Sequence, residues 1–301
     1  MLTQKRLILA ATLLLLVLAT LTASAEDVQL QHQGLTLNAH WQPVGDEWQS
    51  QPVILITHGT LAHGRMEITT ALQDLLGDAG LSSLSITLSL GQDKREGMYD
   101  CETVHRHQHT DALDEIGIWL DWLQEQGAQE VVLLGHSRGA NQTAWFAAER
   151  DANLIRKVVL VAPQTWDAEY VAGSYEKSYG VPLKKLLDEA RTLVKAGKGD
   201  AEIKTRGFIY CPAATATAAA VLSYYEPDTR FDTPTLLPGI TKPVLVIAGS
   251  EDDVVPDLPE RLAPLADKGD IELAVIDGAD HFFRDFFADD MVEAIRAFVD
   301  N

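Results

Sequence analysis

The sequence predicts an α/β fold, a mostly parallel sheet flanked by helices, with an inserted, partly helical cap. Three observations carry that expectation. Short, apolar, β-branched runs alternate with longer amphipathic segments, the pattern of strand–helix–strand units. No repeat with a period of about 20 to 50 residues is visible, so solenoids and propellers are excluded. Finally, about 75 residues separate the strand that ends near Ala162-Pro163 from the one that opens at Pro243, too many for a single crossover.

Each element has its own justification. Residues 28–41 alternate enough to suggest an antiparallel entry hairpin, with Gly34 near its turn. Val53–Thr57 is a buried strand, and 66–79 follows as a helix that Gly80 ends. Residues 84–88 make another buried strand. From 89 to 109 polarity rises and periodicity vanishes, which indicates a loop leaving the carboxyl edge of the sheet. Residues 110–126 read as an amphipathic helix, with Leu113, Ile116, Leu120 and Leu123 on one stripe and Thr110 as N-cap. A strand at 130–134, a helix at 140–150 and a strand at 158–161 come next. Helices at 181–196 and 215–225 are expected within the insertion, before the strands at 243–249 and Ile271–Ile276. The expected division is therefore a core of 26–163 and 239–301 around a cap of 164–238. Ligands in open α/β sheets bind beyond the carboxyl ends of the strands, so the cap should roof a site there. Its aromatic residues Phe208, Tyr210, Tyr224 and Tyr225 either wall that site or pack the cap on the core.

Residues 1–25 read as a signal peptide. Lys5 and Arg6 precede an apolar run over 7–21, and Ala23-Ser24-Ala25 supplies the small residues of a cleavage site. Export to a periplasmic or secreted location follows, with no stable membrane insertion after cleavage; an uncleaved anchor is the alternative. The chain of 301 residues carries 24 Lys plus Arg against 44 Asp plus Glu, a net charge of −20. Such a surface repels phosphate backbones, and no nucleic-acid motif is present. Cys101 and Cys211 are the two cysteines, and an oxidising compartment permits one bridge between them. Two separate buried thiols are the alternative.

The chemistry is carried by Gly135-His136-Ser137-Arg138-Gly139, a Gly-x-Ser-x-Gly pattern between a strand-like and a helix-like run. Serine is a poor nucleophile without a base, and the base needs an orienting acid. Downstream, Ser250-Glu251-Asp252-Asp253 leaves one strand, and Asp277-Gly278-Ala279-Asp280-His281 leaves the next. Upstream, His58-Gly59-Thr60 leaves a third. Together these motifs resemble the α/β-hydrolase superfamily from about Leu35 to the C-terminus. The resemblance implies Ser137 as nucleophile, His281 as base and Asp252 as acid, with adjacent Asp253 as rival. It also implies an oxyanion hole from the backbone N–H groups of Thr60 and Arg138, and a structural role for His58.

The implied reaction is cleavage of a carboxylic ester, thioester or amide of a small, partly apolar acyl substrate, with no cofactor. Transfer of the acyl group to another acceptor, or binding without catalysis, are the rival functions. His105, His107 and His109 stand at alternate positions near His63. An extended backbone would put them on one face, as a zinc site requires, yet no thiolate or carboxylate completes a known spacing, so no metal is expected. The histidines are instead expected to form a polar rim or a structural cluster, and where they form a rim, His63, His105 and Tyr210 are its candidates for substrate contact.

Overall fold

The computed structural model describes residues 25–150, 152–266 and 270–301. The expected signal peptide, apart from Ala25, lies outside the described residues. The chain opens with an antiparallel hairpin, β1 (Glu26–His32) and β2 (Leu35–Gln42), turned at Gln33-Gly34. Then come β3 (Val53–Thr57), α1 (Glu67–Asp78), β4 (Ser82–Thr87), α2 (Asp111–Glu125), β5 (Val131–His136), α3 (Arg138–Glu149) and β6 (Ile155–Val161). The segment before the next sheet strand holds α4 (Ala168–Tyr179), α5 (Leu183–Lys195), β7 (Glu202–Lys204), β8 (Gly207–Phe208), β9 (Cys211–Pro212), β10 (Thr215–Thr217), α6 (Ala218–Tyr225) and α7 (Thr233–Leu236). The chain closes with β11 (Val244–Gly249), α8 (Leu258–Ala266), β12 (Ile271–Ile276) and α9 (Phe286–Asp300).

Eight strands form one sheet in the order β1-β2-β4-β3-β5-β6-β11-β12. The entry hairpin pairs antiparallel with β4, and every later neighbour is parallel. Parallel strands covered on both faces need apolar residues at every position rather than at alternate ones. The central strands β3, β5 and β11 are buried throughout. Edge strand β12 instead leaves Glu272 and Val275 exposed and buries only Ile276 fully. On the helical layers, α1 packs against α9, while α2, α3, α7 and α8 pack in succession. Among the described residues no helix is long and apolar enough to cross a membrane.

The long segment after β6 is stitched to the loop that precedes α2. His105 pairs with Ala216 as an isolated bridge, accepting an N–H from Thr217 and donating its own to Thr215. Cys101 and Cys211 form a disulfide with a Cα separation of 5.3 Å. Arg106 and Glu202 add an ion pair across the same seam.

Several local expectations change. Residues 215–217 form β10 rather than the first turn of a helix, because Thr215, Ala216 and Thr217 pair with Lys204, Ile203 and Glu202. Thr217 then caps α6, its hydroxyl accepting from the Ala220 amide. Helix α4 was not foreseen, although Asp167 is a working N-cap for it. Thr110 occupies the N-cap position of α2 but makes no side-chain capping bond; Asp111 accepts from the Gln108 amide there instead.

Candidate active site

Four loops converge at the carboxyl ends of β3, β5, β11 and β12. Ser137 follows β5 directly, with φ 58° and ψ −123°, a strained conformation for a residue bearing a side chain. The glycines on either side make that turn possible. A Cβ on Gly135 would lie 2.5 Å from the Ala140 Cα, and one on Gly139 would lie 2.1 Å from the His58 carbonyl oxygen. Only glycine lets the elbow fold back onto its own helix and onto the loop after β3.

His281 lies five residues beyond β12, and its Nε2 stands 3.0 Å from the Ser137 Oγ. On the other side, Nδ1 donates to Asp252 Oδ2 at 2.8 Å. Asp252 Oδ1 accepts from the amides of Val254 and Val255 at 2.8 and 3.0 Å, so the turn after β11 fixes the carboxylate. Burial pushes this carboxyl up, but the His281 hydrogen bond and charge, with the Val255 and Val254 amides, outweigh burial and hold it below the usual carboxylate range. Asp253 points to solvent and is exposed. Of the two adjacent acids, Asp252 is the one brought to the imidazole.

Thr60 sits in the loop after β3. A Cβ on neighbouring Gly59 would lie 3.3 Å from the Ser137 Cβ, which measures how closely this loop approaches Ser137. Arg138 is the first residue of α3, so its N–H is among the orphan amides of a helix start. The Arg138 side chain is a feature that sequence reasoning left open. Its Nε donates to Thr60 Oγ1 at 3.0 Å, and its guanidinium lies 5.4 Å from the Tyr224 ring centroid. It thus ties the elbow to the loop after β3 rather than to a carboxylate.

Two histidines brace the loops. His136 donates from Nε2 to the carbonyl of His281 at 2.9 Å. His58 donates from Nδ1 to the Gly59 carbonyl, and its Nε2 accepts from the Leu88 amide at 3.0 Å. Buried Arg95 lies 3.1 Å from the same nitrogen while its Nε donates to the Leu88 carbonyl. Burial, then the Arg95 charge, hold His58 well below the usual histidine value. Nothing in the sequence around Arg95 signalled this network.

The expected rim residues separate. Tyr210 borders a basin of about 380 Å³ that also contains Ser137 and His281. His105 does not: it is fully buried, stacked on Tyr99 and packed against Phe208, because its backbone is zipped to β10. His63 is half-buried outside the basin wall, where its Nδ1 accepts from the Arg65 amide. The alternate histidines do share an interior, and each ring meets a protein partner there, although His105 Nε2 is buried without one. His105 Nδ1 and His107 Nε2 face each other at 3.2 Å, His107 Nδ1 meets the Tyr224 hydroxyl at 2.7 Å, and His109 Nε2 donates to Asn141 Oδ1. Phe208, Tyr224 and Val221 are buried in packing, so Tyr210 is the residue of 164–238 that reaches the basin. The wall also includes Gly59, Thr60, Ala62 and His136, and the large apolar side chains Met66, Met98, Val254 and Phe282, which carry no sequence signal.

Comparison with known proteins agrees with the architecture. The chain is similar to the solved structure of Est1E from Butyrivibrio proteoclasticus, at 18% identity over 90% of this chain and 96% of that one, with a TM-score of 0.60. It is similar to E-2-(acetamidomethylene)succinate hydrolase at 21% identity, 92% and 100% coverage and a TM-score of 0.58. The Pyrococcus furiosus esterase Pf2001 follows at 17% identity, 92% of each chain and a TM-score of 0.57. At such identities the likeness speaks for the fold alone. No curated protein sequence matches the chain. The sequence model of the alpha/beta hydrolase family matches residues 38–297, and with that span the chain belongs to the alpha/beta hydrolase family.

Proposed function

We propose that this protein is an exported serine hydrolase that cleaves a carboxylic ester, or a related thioester or amide, through an acyl-enzyme on Ser137. The observation that carries the proposal is the continuous relay from Ser137 Oγ to His281 Nε2 at 3.0 Å and from His281 Nδ1 to Asp252 Oδ2 at 2.8 Å, mounted on a strained elbow. In the first half-reaction Ser137 Oγ attacks the carbonyl carbon as its proton passes to His281 Nε2. Asp252 keeps the imidazole in the tautomer that accepts there, and its negative charge stabilises the imidazolium. The oxyanion is received by the backbone N–H groups of Thr60 and Arg138, each worth roughly 3 to 4 kcal/mol. His281 then protonates the leaving group, and water repeats the cycle in reverse. Residues 164–238 serve as a cap whose contribution to the pocket is Tyr210, held beside the Cys101–Cys211 bridge. The bridge also supports an oxidising destination, in line with the N-terminal charged and apolar pattern.

A fluorophosphonate probe tests the reading. Labelling at Ser137, lost in Ser137→Ala and His281→Ala together with turnover of small activated esters, is the expected result. Asp252→Asn should reduce kcat by about 10⁴-fold, and Asp253→Asn should stay within about twofold, since this exposed side chain makes no contact in the relay. Labelling without ester turnover would move the function to acyl transfer, and absence of labelling on folded protein would move it to a binding role. Recovery of membrane-bound protein that retains Met1 would replace cleavage by anchoring.

A further inference from the structure

A second, larger basin adjoins the one that holds Ser137. It measures about 560 Å³ and lies between α1 and the loop that carries His281 into α9. Ile68, Ala71 and Leu75 of α1 form one wall, with Phe283 and Ala288 opposite. Met66 and Phe282 line both basins, so the two are neighbours across a shared apolar threshold. Each falls in the range of roughly 300 to 1,000 Å³ usual for small-molecule sites. Three of the exposed large apolar side chains among the described residues, Met98, Tyr210 and Val254, border the first basin, and Phe286, 84% exposed, follows Asp285 of the second basin's rim in the chain. Large apolar side chains held in water around one cleft mark a surface that a ligand covers.

The charges at the second basin restrict that ligand. Glu67, Asp74 and Asp285 stand on its rim against Arg284, whose guanidinium is directed to Asp280 and lies 4.7 Å from the Phe282 ring centroid. An anionic group there would meet three carboxylates and no unengaged cation, whereas a neutral hydrocarbon would be accepted. The side of the reaction it serves follows from the relay. His281 Nε2 must face the departing oxygen to protonate it, so the alcohol moiety leaves on the His281 side, and the next residue, Phe282, is the threshold to the second basin.

We propose that the basin between α1 and α9 is the alcohol-tail subsite, taking the neutral alkyl chain of an ester whose carbonyl lies at Ser137. This assignment rests on the hydrolase reading for its chemistry but not for its binding, and the test separates the two. Initial rates on ethyl, butyl and octyl acetate, kept below their solubility limits, should show kcat/KM rising by at least about 30-fold from ethyl to octyl, since each buried methylene is worth up to about fourfold. Ala71→Trp fills the basin and should cut the octyl-to-ethyl ratio by about tenfold or more. Ile68→Asn, a milder change that makes the wall polar, should move the ratio in the same direction. Calorimetric titration with 1-octanol needs no turnover: it should bind the unmodified protein, bind Ala71→Trp about tenfold more weakly, and exceed octanoate by at least tenfold. A flat acetate series with no octanol binding overturns the subsite. So does octanoate binding as tightly as octanol, or an Ala71→Trp effect confined to ethyl octanoate, which would place an acyl chain there. Octanol binding that depends on Ala71, with no ester cleaved and Ser137 unlabelled, would leave the subsite standing and remove the hydrolase reading.

Discussion

Acidification is the perturbation to which this interior is most exposed. His58, His105, His107, His109 and His136 are all buried. Burial lowers His105 to about 4, His107 to about 3 with help from His105, and His136 to about 4 with help from His281. Burial, then the Arg95 and Arg138 charges respectively, hold His58 and His109 well below the ordinary value near 6.5. A histidine whose folded pKa lies below its unfolded one stabilises the fold above the unfolded value, and the contribution is lost as pH falls below it. Two carboxyls oppose them, Asp111 and Glu115, both raised by burial. Burial raises Glu115 to about 7 despite its hydrogen bonds from Ser89, so its effect favours the fold at low pH and disappears as pH rises from about 4.5 to about 7. At pH 5 His105, His107 and His136 are charged in the unfolded chain and neutral in the fold, and Glu115 cancels roughly one of these protons. From these groups unfolding takes up about two protons, and stability falls by roughly 3 kcal/mol per pH unit at about 1.4 kcal/mol per proton, with His58 and His109 acting in the same direction. Against a typical stability of about 5 to 15 kcal/mol, that slope is enough to unfold a protein at the lower end of the range within two or three units. Urea midpoints between pH 7.5 and 5, at constant m-value, measure the slope directly. His107→Gln should reduce it by about one proton. A midpoint that is flat from pH 7 to pH 5 would refute the argument, because it would mean that the buried rings are already charged or are hydrated in the fold.

Two further predictions concern how the site is held. The Cys101–Cys211 bridge lies three residues from Met98 and one from Tyr210, two exposed side chains that border the basin at Ser137. A reductant should raise KM for a bulky ester before the sheet unfolds, and remove about 4 to 5 kcal/mol of stability on the entropic estimate for a loop of this size; unchanged KM in fully reduced, folded protein would separate the bridge from the site. The bond from Arg138 to Thr60 Oγ1 should position the oxyanion loop, so Arg138→Met and Thr60→Val should each lower kcat by about tenfold, the scale of a charge-assisted hydrogen bond. The double variant should be no worse than either single one, and additive losses in the cycle would show that the two act separately.

The legibility of these features in the sequence follows the distance over which each is encoded. The elbow is local: a β-branched run, two glycines that no other residue can replace, and a helix all lie within a few turns, so Ser137 is readable without coordinates. The places of the central strands along the chain are nearly as readable, because β3, β5 and β11 are apolar runs covered on both faces. The choice between Asp252 and Asp253 is not, since neighbouring residues in a turn point in directions set by the turn itself, here by Asp252 Oδ1 bridging two amides ahead. Helix α4 escaped notice because its positions Tyr170, Val171 and Tyr175 are spread among Gly, Ser, Glu and Lys, leaving one buried side chain, Tyr175, to hold it. Alternate histidines at 105, 107 and 109 suggested a rim, but β10 pairs with that strand of loop and turns His105 inward, a decision made by residues more than a hundred positions away. The basin walls are the extreme case. Met66, Met98, Val254 and Phe282 come from four separate loops, and their apolar character has a purpose only once the sheet edge brings them around Ser137. Substrate preference is therefore the property least visible in the chain and most dependent on its fold, and it is at Ala71, Met66 and Phe282, not at the triad, that a change of one side chain should change which ester is cleaved.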